Sequence, residues 1–523
     1  MILKRLIDLL FSWFTNVGIL PMLLVIFSLF VAVNIYDAYG VSWDEANQRE
    51  IGLVNVEYVL GKSDVLLTYK DRDYGSVFEI FLLVTEKIAN ANSFREIFLV
   101  RHLVSHFFFI LGGLFCFLLV KLLFNNRLLS VFAFLLWILM PVFYAHSFFN
   151  TKDIPFASMM MVAFYCSVLA WKRPTWFNYI VLALVFAILI NMRLMGLILP
   201  FGFFGIGILK QITCEKLEIT KFSMIKKWAI LFVAMFLFLY MSWPFLWENP
   251  IGNFSTAFKN MAQFRWKGDV LFAGQILPSD LIPWYYISIW FLIQTPVLYL
   301  LIGFLSLLIF GKKMLINYKT FFNDDKHLFF IFFAICFFVP LTVVIILKST
   351  LYDGWRQMFF IYVPFLMMIV FSIDYLAKIK YGKSLYYLLS LYFVVVAIQM
   401  YQYHPYQHVY FNEFVSLGSN SKMETLFELD YWGTSYKEQL EYLDRRFPND
   451  TLFLRFANKP GELNHRMLTE SVRKRFVIAN PENADYFLTN HRTGFKKMEG
   501  KSVYKVMVKN KRLGEILKIK KDE

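Results

Sequence analysis

Apolar runs long enough to cross a bilayer, broken by short polar turns, set the rhythm of this chain up to about Tyr401. A membrane span needs on the order of 20 mainly apolar residues. Runs of that kind occupy Val17–Tyr36, Leu103–Phe124, Leu128–Tyr144, Ile154–Trp171, Tyr179–Met195, Gly196–Leu209, Trp228–Trp243, Ile287–Phe310, Leu328–Leu347, Phe359–Leu376 and Leu385–Tyr401, about eleven in all. The stretch Tyr179–Leu209 reads either as two short spans or as one long bent one. Lys4 and Arg5 precede the first run as in a signal peptide, but its length and the spans that follow make it an uncleaved signal-anchor. Beyond Tyr401 the hydropathy falls. There Thr451–Phe456 and Ala484–Thr489 have strand-like content, Tyr436–Arg446 has helical charge spacing, and Lys496–Lys511 alternates like a hairpin. The expected fold is mostly α: a polytopic membrane part over 1–401 with long loops at 37–101 and 244–286, then a small mixed α/β domain over 402–523.

Charge orients this pattern. The connections Lys121–Arg127, Lys172-Arg173, Lys210–Lys227, Gly311–Lys326 and Lys378–Lys383 each carry at least two Lys or Arg, whereas Asp37–Glu96 is acidic. Basic loops stay on the cytoplasmic side, so the N-terminus is expected inside and the C-terminal domain outside, as in a bacterial inner membrane. The same loops account for most of the net charge of +15, and no nucleic-acid partner is needed to explain it. A 58% hydrophobic content with 60 Phe excludes a soluble protein. Cys116, Cys166 and Cys336 fall in spans and Cys214 in an inner loop, so no structural disulfide is expected, and their spacing suits no metal site.

Polar residues at the outer ends of the spans carry the candidate chemistry. Asp44-Glu45, in Val41-Ser42-Trp43-Asp44-Glu45-Ala46-Asn47-Gln48, follows the first span closely. His146-Ser147-Phe148-Phe149-Asn150-Thr151-Lys152-Asp153-Ile154-Pro155 turns from one span into the next. Pro155 suits a first helical turn and Asn150 or Thr151 a cap, so the turn has a purely structural reading beside that of a second acidic wall facing Asp44. Arg193 interrupts an apolar run, where a cation is expensive unless paired, snorkelled or facing a polar cavity. Tyr352-Asp353-Gly354-Trp355-Arg356 mixes ions with aromatics, and Lys70, Arg72 and Tyr74 add cations and a hydrogen-bonding group in the first loop. The long loop through Trp243-Pro244-Phe245-Leu246-Trp247 and Phe264-Arg265-Trp266-Lys267 suits interfacial anchoring, sugar stacking or covering a cavity. Together these acids and bases fit a site that activates one hydroxyl and stabilises a departing phosphate.

Asp44-Glu45 after the first span, Asn150-Thr151-Lys152-Asp153-Ile154-Pro155 and Arg193-Leu194-Met195-Gly196 resemble the GT-C superfamily of membrane glycosyltransferases. More narrowly, they resemble glycosyltransferase family 39, with its protein O-mannosyltransferases and lipid A aminoarabinose transferases. Trp243–Trp247, Leu281–Tyr286, Tyr352–Arg356, His404-Pro405-Tyr406-Gln407 and Phe427–Gly433 add to the resemblance, which covers about residues 1–435. Thr151 departs from it, standing where a small residue or Pro is expected. The resemblance implies a polyprenyl-phosphate sugar donor, such as a hexosyl or pentosyl lipid, and a glycan, lipid or protein acceptor. It implies inverting single displacement at the outer membrane face. Asp44 is then the general base, with Glu45 and Asp153 orienting acceptor and sugar. Lys70, Arg72, Arg193 and Arg356 are the cations for the phosphate, with Tyr74, His146, Asn150 and Lys152 as further site residues. No cofactor is required, and a divalent metal is compatible but not demanded. A transporter or flippase of a lipid-linked sugar is the alternative; transporters tend to show internal repeats and interrupted midplane helices, whereas this sequence shows no repeat and its acids cluster at one face. An inactive scaffold sits poorly with the retained acids. An oligosaccharide ligase is chemically open, though the resemblance points elsewhere.

Overall fold

A computed structural model describes residues 18–213, 221–418, 423–492 and 498–519. The inner-loop residue Cys214 lies outside these, as do Lys4 and Arg5. Among the described residues nine helices are long and apolar enough to cross a membrane, or ten if the pair Arg127–Ile138 and Pro141–Phe149, bent by 62°, forms one span. All eleven apolar runs are helical, and the lower count has local causes. Trp176–Met192 is short, and a 3-10 turn at Leu194–Leu197 joins it to Ile198–Thr213, so the ambiguous stretch is two helices with Arg193 at the break. Pro141 divides the bent pair, since a proline cannot donate to the preceding turn.

The inner layer is Asp153–Lys172 and Arg356–Leu376, whose apolar windows are 78% and 83% buried; Ile19–Ala38 and Ser384–Tyr403, at 11% and 22%, are peripheral. Both inner helices begin on a charged residue, which places Asp153 and Arg356 at one end of the core. The opposite end gathers the basic connections. Lys172 donates to the Leu122 carbonyl (2.5 Å), Lys326 lies over Phe124, Lys313 over Tyr375, and Lys210 pairs with Asp325. Cys116, Cys166 and Cys336 are buried and free.

The run expected over Ile287–Phe310 is broken at Thr295-Pro296, between helices Tyr286–Gln294 and Val297–Ile316. Such a break leaves backbone groups without intrahelical partners, and lipid offers none. The chain after the last span repairs it. The Asn412 side-chain amide donates to the carbonyls of Leu292 (2.6 Å) and Thr295 (2.8 Å), the Asn412 N–H donates to Ile293, and Glu413 accepts from the Val297 N–H.

Among the described residues between Tyr403 and Trp432, Tyr406, Tyr410, Phe411, Phe427, Tyr431 and Trp432 are buried in the same core as the membrane helices. The Tyr, Trp, His and Gln content of this segment lowers hydropathy without preventing burial, so the second core starts later than 402, at Tyr436. That domain holds helix Tyr436–Arg446 and a five-stranded sheet. The hairpin Asp269–Phe272 (β1) and Gln275–Pro278 (β2) lies in the long loop. The sheet comprises Leu452–Phe456 (β3), Phe476–Ile478 (β4), Tyr486–Thr489 (β5), Lys501–Val508 (β6) and Lys511–Lys518 (β7), in the order β4-β3-β5-β7-β6. β3 runs parallel to β4 and β5, and β7 antiparallel to β5 and β6. The β6–β7 hairpin therefore turns near Lys509-Asn510, further along than the alternation over Lys496–Lys511 suggested.

Candidate active site

Asp44 precedes helix Glu45–Val59 without capping it through its side chain. Glu45 secures the turn instead: one carboxylate oxygen accepts the Ser42 N–H (2.6 Å) and the other meets His102 Nε2 (2.8 Å), while the Ser42 hydroxyl donates to the Phe149 carbonyl (3.0 Å). The Asp44 carboxylate is thereby left for the cavity, with Oδ2 3.2 Å from Arg356 Nη1 and 4.0 Å from Lys152 Nζ. Its side chain keeps 26% of its surface exposed. Burial raises its pKa, but the charges of Arg356, Lys152 and Arg492 outweigh that and leave it below the ordinary 3.8, so it is ionised at neutral pH.

Asp153 opens the next inner helix. The Asn150 side-chain oxygen accepts the N–H groups of Lys152 (3.2 Å) and Asp153 (2.9 Å), the donors a helix start leaves free, and its amide donates to Asp153 Oδ2 (2.9 Å). Thr151 turns the other way and donates to Glu79 (2.6 Å). Asp153 is buried beneath two guanidinium groups, paired with Arg193 and 3.7 Å from Arg356 Nη1. It lies under these cations and does not form an open wall opposite Asp44.

Arg356 is aimed by a tight turn. Asp353 and Gly354 both take positive φ (56° and 71°), a conformation glycine adopts freely and aspartate only rarely. The turn brings Asp353 Oδ2 within 3.2 Å of Arg356 Nη2, so Arg356 spans three carboxylates, and its guanidinium also lies over the Tyr352 and Trp432 rings.

Two cavities meet here. A polar one of about 730 Å³ is lined by Trp43, Asp44, Gln48, Lys70, Trp266 and Arg492, among others. A largely apolar one of about 130 Å³ is lined by Met192, Leu194, Met195, Met261, Val343 and Leu347 together with Arg193. Tyr74, Lys152, Phe264, Tyr352 and Arg356 border both. Lys152 lies 4.7 Å from the Tyr74 ring centre, and burial, opposed by Asp44 and reinforced by Arg356 and Arg193, brings its amine down to about 8. Trp266 stacks on Tyr352 at 4.1 Å, and Arg265 pairs with Asp71 and Asp73, so the long loop roofs the polar cavity.

The structure thus brings together Asp44, Lys70, Tyr74, Lys152, Asp153, Arg193 and Arg356. It does not bring Arg72, which donates to the Leu67 carbonyl (2.5 Å) and lies near Phe245. Glu45 faces Ser42 and His102, and His146 sits behind the site between Asn150 (3.2 Å) and the Tyr431 hydroxyl (3.3 Å). Sequence reasoning missed Arg492, for which the mixed charge of its domain offers no signal. It also missed a buried cluster in which Arg101 pairs with Glu79 and with Glu86 (2.8 Å), and Arg49 pairs with Glu86 (3.0 Å). Its signal was present: Glu79 and Glu86 share one helix face seven residues apart, and Arg101 sits within a long apolar helix. Among the described residues no group of three or more His, Cys, Asp or Glu is arranged to hold a metal ion.

Residues 81–246 match the family model of dolichyl-phosphate-mannose-protein mannosyltransferases. The likeness to this GT-C, family-39 type of glycosyltransferase takes in Asp153 and Arg193, whereas Asp44 and Arg356 lie outside the matched segment. No curated protein sequence matches the chain. Among solved structures, the apo Archaeoglobus fulgidus oligosaccharyltransferase aligns at 11% identity and a TM-score of 0.48, over 89% of this chain and 65% of that one. The archaeal oligosaccharyltransferase AglB of Archaeoglobus fulgidus, in complex with an inhibitory peptide and a dolichol-phosphate, aligns at 11% identity and a TM-score of 0.48, over 89% of this chain and 69% of that one. The chain thus spans about two thirds of the length of these proteins.

Proposed function

We propose that this protein is a membrane glycosyltransferase that moves a sugar from a polyprenyl-phosphate carrier to an acceptor hydroxyl. The observation that carries this reading is the junction of an apolar groove with a polar cavity, bordered by Lys152 and Arg356 with Arg193 in the groove wall. Such a junction suits a ligand with a lipid tail, a phosphate and a sugar in that order. The tail takes the groove, the phosphate meets the cations, and the sugar projects toward Asp44.

Asp44 is the general base. Ionised, and a quarter exposed on the polar side, it accepts the proton of the attacking hydroxyl. The oxygen then forms a bond to the anomeric carbon on the face opposite the phosphate, the carbon–oxygen bond to phosphate breaks with its electron pair, and the configuration inverts. Lys152, Arg193 and Arg356 take up the charge that develops on the leaving phosphate, and Asp153, buried beneath the two arginines, holds them in place. The cavity lies at the end of the bundle opposite the basic connections, which under the positive-inside rule is the outer face. The acceptor, whether glycan, lipid or protein, enters from there.

The test is transfer of label from polyprenyl-phosphate hexoses and pentoses by the purified full-length protein in nanodiscs supplied with envelope glycans, lipids and peptides. Binding of polyprenyl phosphate to the same preparation is measured in parallel. Binding and turnover are expected; a protein that binds no polyprenyl phosphate is not the enzyme described here.

A further inference from the structure

Arg492 comes from the C-terminal domain yet lines the polar cavity. It follows β5 by three residues, and Asn490 anchors the approach by donating to the Asp430 carbonyl (2.8 Å) and accepting from Asn458 (2.7 Å). From there the Arg492 guanidinium reaches across the domain boundary. Nη2 meets Asp353 Oδ1 at 2.8 Å, Nη1 donates to the Tyr431 carbonyl (2.6 Å), and the group lies 5.1 Å from the Trp43 ring centre, beside Asp44. With 8% of its surface exposed, it is built into the wall. The Asp44 loop is held from the same side: the Asn464 side chain accepts the Val41 N–H and donates to the Val41 carbonyl, both at 2.9 Å. Gly40 permits that approach, since a Cβ there would stand 2.5 Å from the Thr434 carbonyl oxygen.

The two oxygens of Asp353 serve different arginines. Oδ1 belongs to Arg492 and Oδ2 to Arg356. A carboxylate with both oxygens free closes on a guanidinium in the bidentate fork, the strongest geometry the pair can reach. We infer that Arg492 is a positioning residue of the transfer site: by occupying one oxygen of Asp353 it prevents that closure and leaves Arg356 directed at Asp44, Asp153 and the donor phosphate. The inference rests on the proposed role of Arg356 at the phosphate. It makes the C-terminal domain a working part of the site and not simply an appendage to it.

The experiment uses the full-length protein in nanodiscs, with polyprenyl phosphate as the binding probe and polyprenyl-phosphate sugar for turnover. Arg492→Gln is expected to weaken probe binding about tenfold, within the range for coupled neighbours in one charge network. Adding Asp353→Asn, which removes the competing carboxylate, is expected to restore most of that loss. The acid limb of the kcat/KM profile is also expected to move to higher pH in Arg492→Gln, because Asp44 loses one of the cations facing it, Lys152 and Arg356 remaining. Lys474→Ala, at an exposed ion pair far out on the domain, is the unaffected control. If Arg492→Gln does not fold, Arg492→Lys serves for the same comparison with a smaller expected loss. Unchanged binding in Arg492→Gln, or a loss that Asp353→Asn does not relieve, overturns the positioning role while wild-type binding keeps the donor reading intact. Wild-type protein that binds no polyprenyl phosphate overturns both.

Discussion

Two ion clusters share the turn Asn150–Asp153, and they are built to opposite ends. On one side of it, Glu79 and Glu86 are matched by Arg101 and Arg49, and Thr151 adds a hydrogen bond to Glu79. Two acids meet two bases and the cluster is closed, with no member lining either cavity. On the other side, Arg356 is shared among Asp44, Asp153 and Asp353, Arg193 leans on Asp153, and Lys152 stands 4.0 Å from Asp44 with its amine brought down to about 8. This cluster opens onto both cavities. The first uses charge to fix helices against one another; the second keeps charge available for a ligand. Residue type alone does not separate them, but access to the cavity does.

The comparison is broken most severely at Asp44. Asp44→Asn keeps the shape and removes the proton acceptor, so turnover is expected to fall about 10²–10⁴-fold while polyprenyl-phosphate binding stays near wild type. Transfer assays run beside binding assays check this, and near-normal turnover would remove Asp44 from the mechanism. In the closed cluster the effect should appear in stability. Arg101→Gln leaves two buried carboxylates short of a partner, and a loss of about 3–5 kcal/mol is expected, read as a lower thermal midpoint and poor yield.

Arg193→Gln probes the open cluster from its lipid side. Loss of a charge-assisted contact to phosphate is expected to weaken donor binding about 10–100-fold. The thermal midpoint should move less than in Arg101→Gln, because Asp153 retains Arg356. The smallest effect concerns pH. Lys152 is protonated below about 8 and loses its charge above it, so donor KM is expected to rise several-fold between about pH 7 and 9, and Lys152→Arg should flatten that rise. Its pKa is lowered from 10.5 in the fold, so between about 8 and 10.5 the unfolded chain holds the proton more tightly and deprotonation favours the folded state. A rise in KM there is therefore not caused by Lys152 unfolding the protein.

Much of this was legible in the sequence. The apolar runs are helical, Leu128–Tyr144 and Ile287–Phe310 each as two helices, because in lipid a backbone must satisfy its own hydrogen bonds. The turn at Asn150–Pro155 announced a helix start, although Lys152 and not Asn150 or Thr151 takes the cap position and Asn150 accepts from just before it, and Arg193 stood out because a cation in an apolar run needs a partner. Other features were not legible. Asp44 and Glu45 are adjacent acids, and which of them faces the cavity depends on Ser42, which stands in Ser-x-x-Glu spacing to Glu45, and on His102, which no spacing rule connects to it. Arg72 and Lys70 are both cationic side chains of one loop, yet a nearby carbonyl holds Arg72 while Lys70 lines the cavity. Arg492 acts across a domain boundary, and a single chain carries no mark of such long-range pairing. The extent of the core is hidden for a related reason: hydropathy scores Tyr, Trp, His and Gln as polar, but beyond Tyr401 the side chains of Tyr403, Tyr406, Gln407, His408, Tyr410 and Trp432 are buried.

The repair of the helix break at Pro296 by Asn412 and Glu413 determines where this chain can be divided. A cut at 401, where hydropathy drops, would strip the carbonyls of Leu292, Ile293 and Thr295 and the amide of Val297 of their partners at the start of the span Val297–Ile316, each buried unpaired group costing about 1–3 kcal/mol. A cut near 435 spares them, and removes the second core together with Val506, Val508 and Leu513 of the first and the Asn464 contacts to Val41. A membrane fragment ending at 401 should therefore be cleared by proteases in the cell faster than one ending near 435. The last thirty or so residues before the C-terminal domain are, in physical terms, the final strap of the bundle.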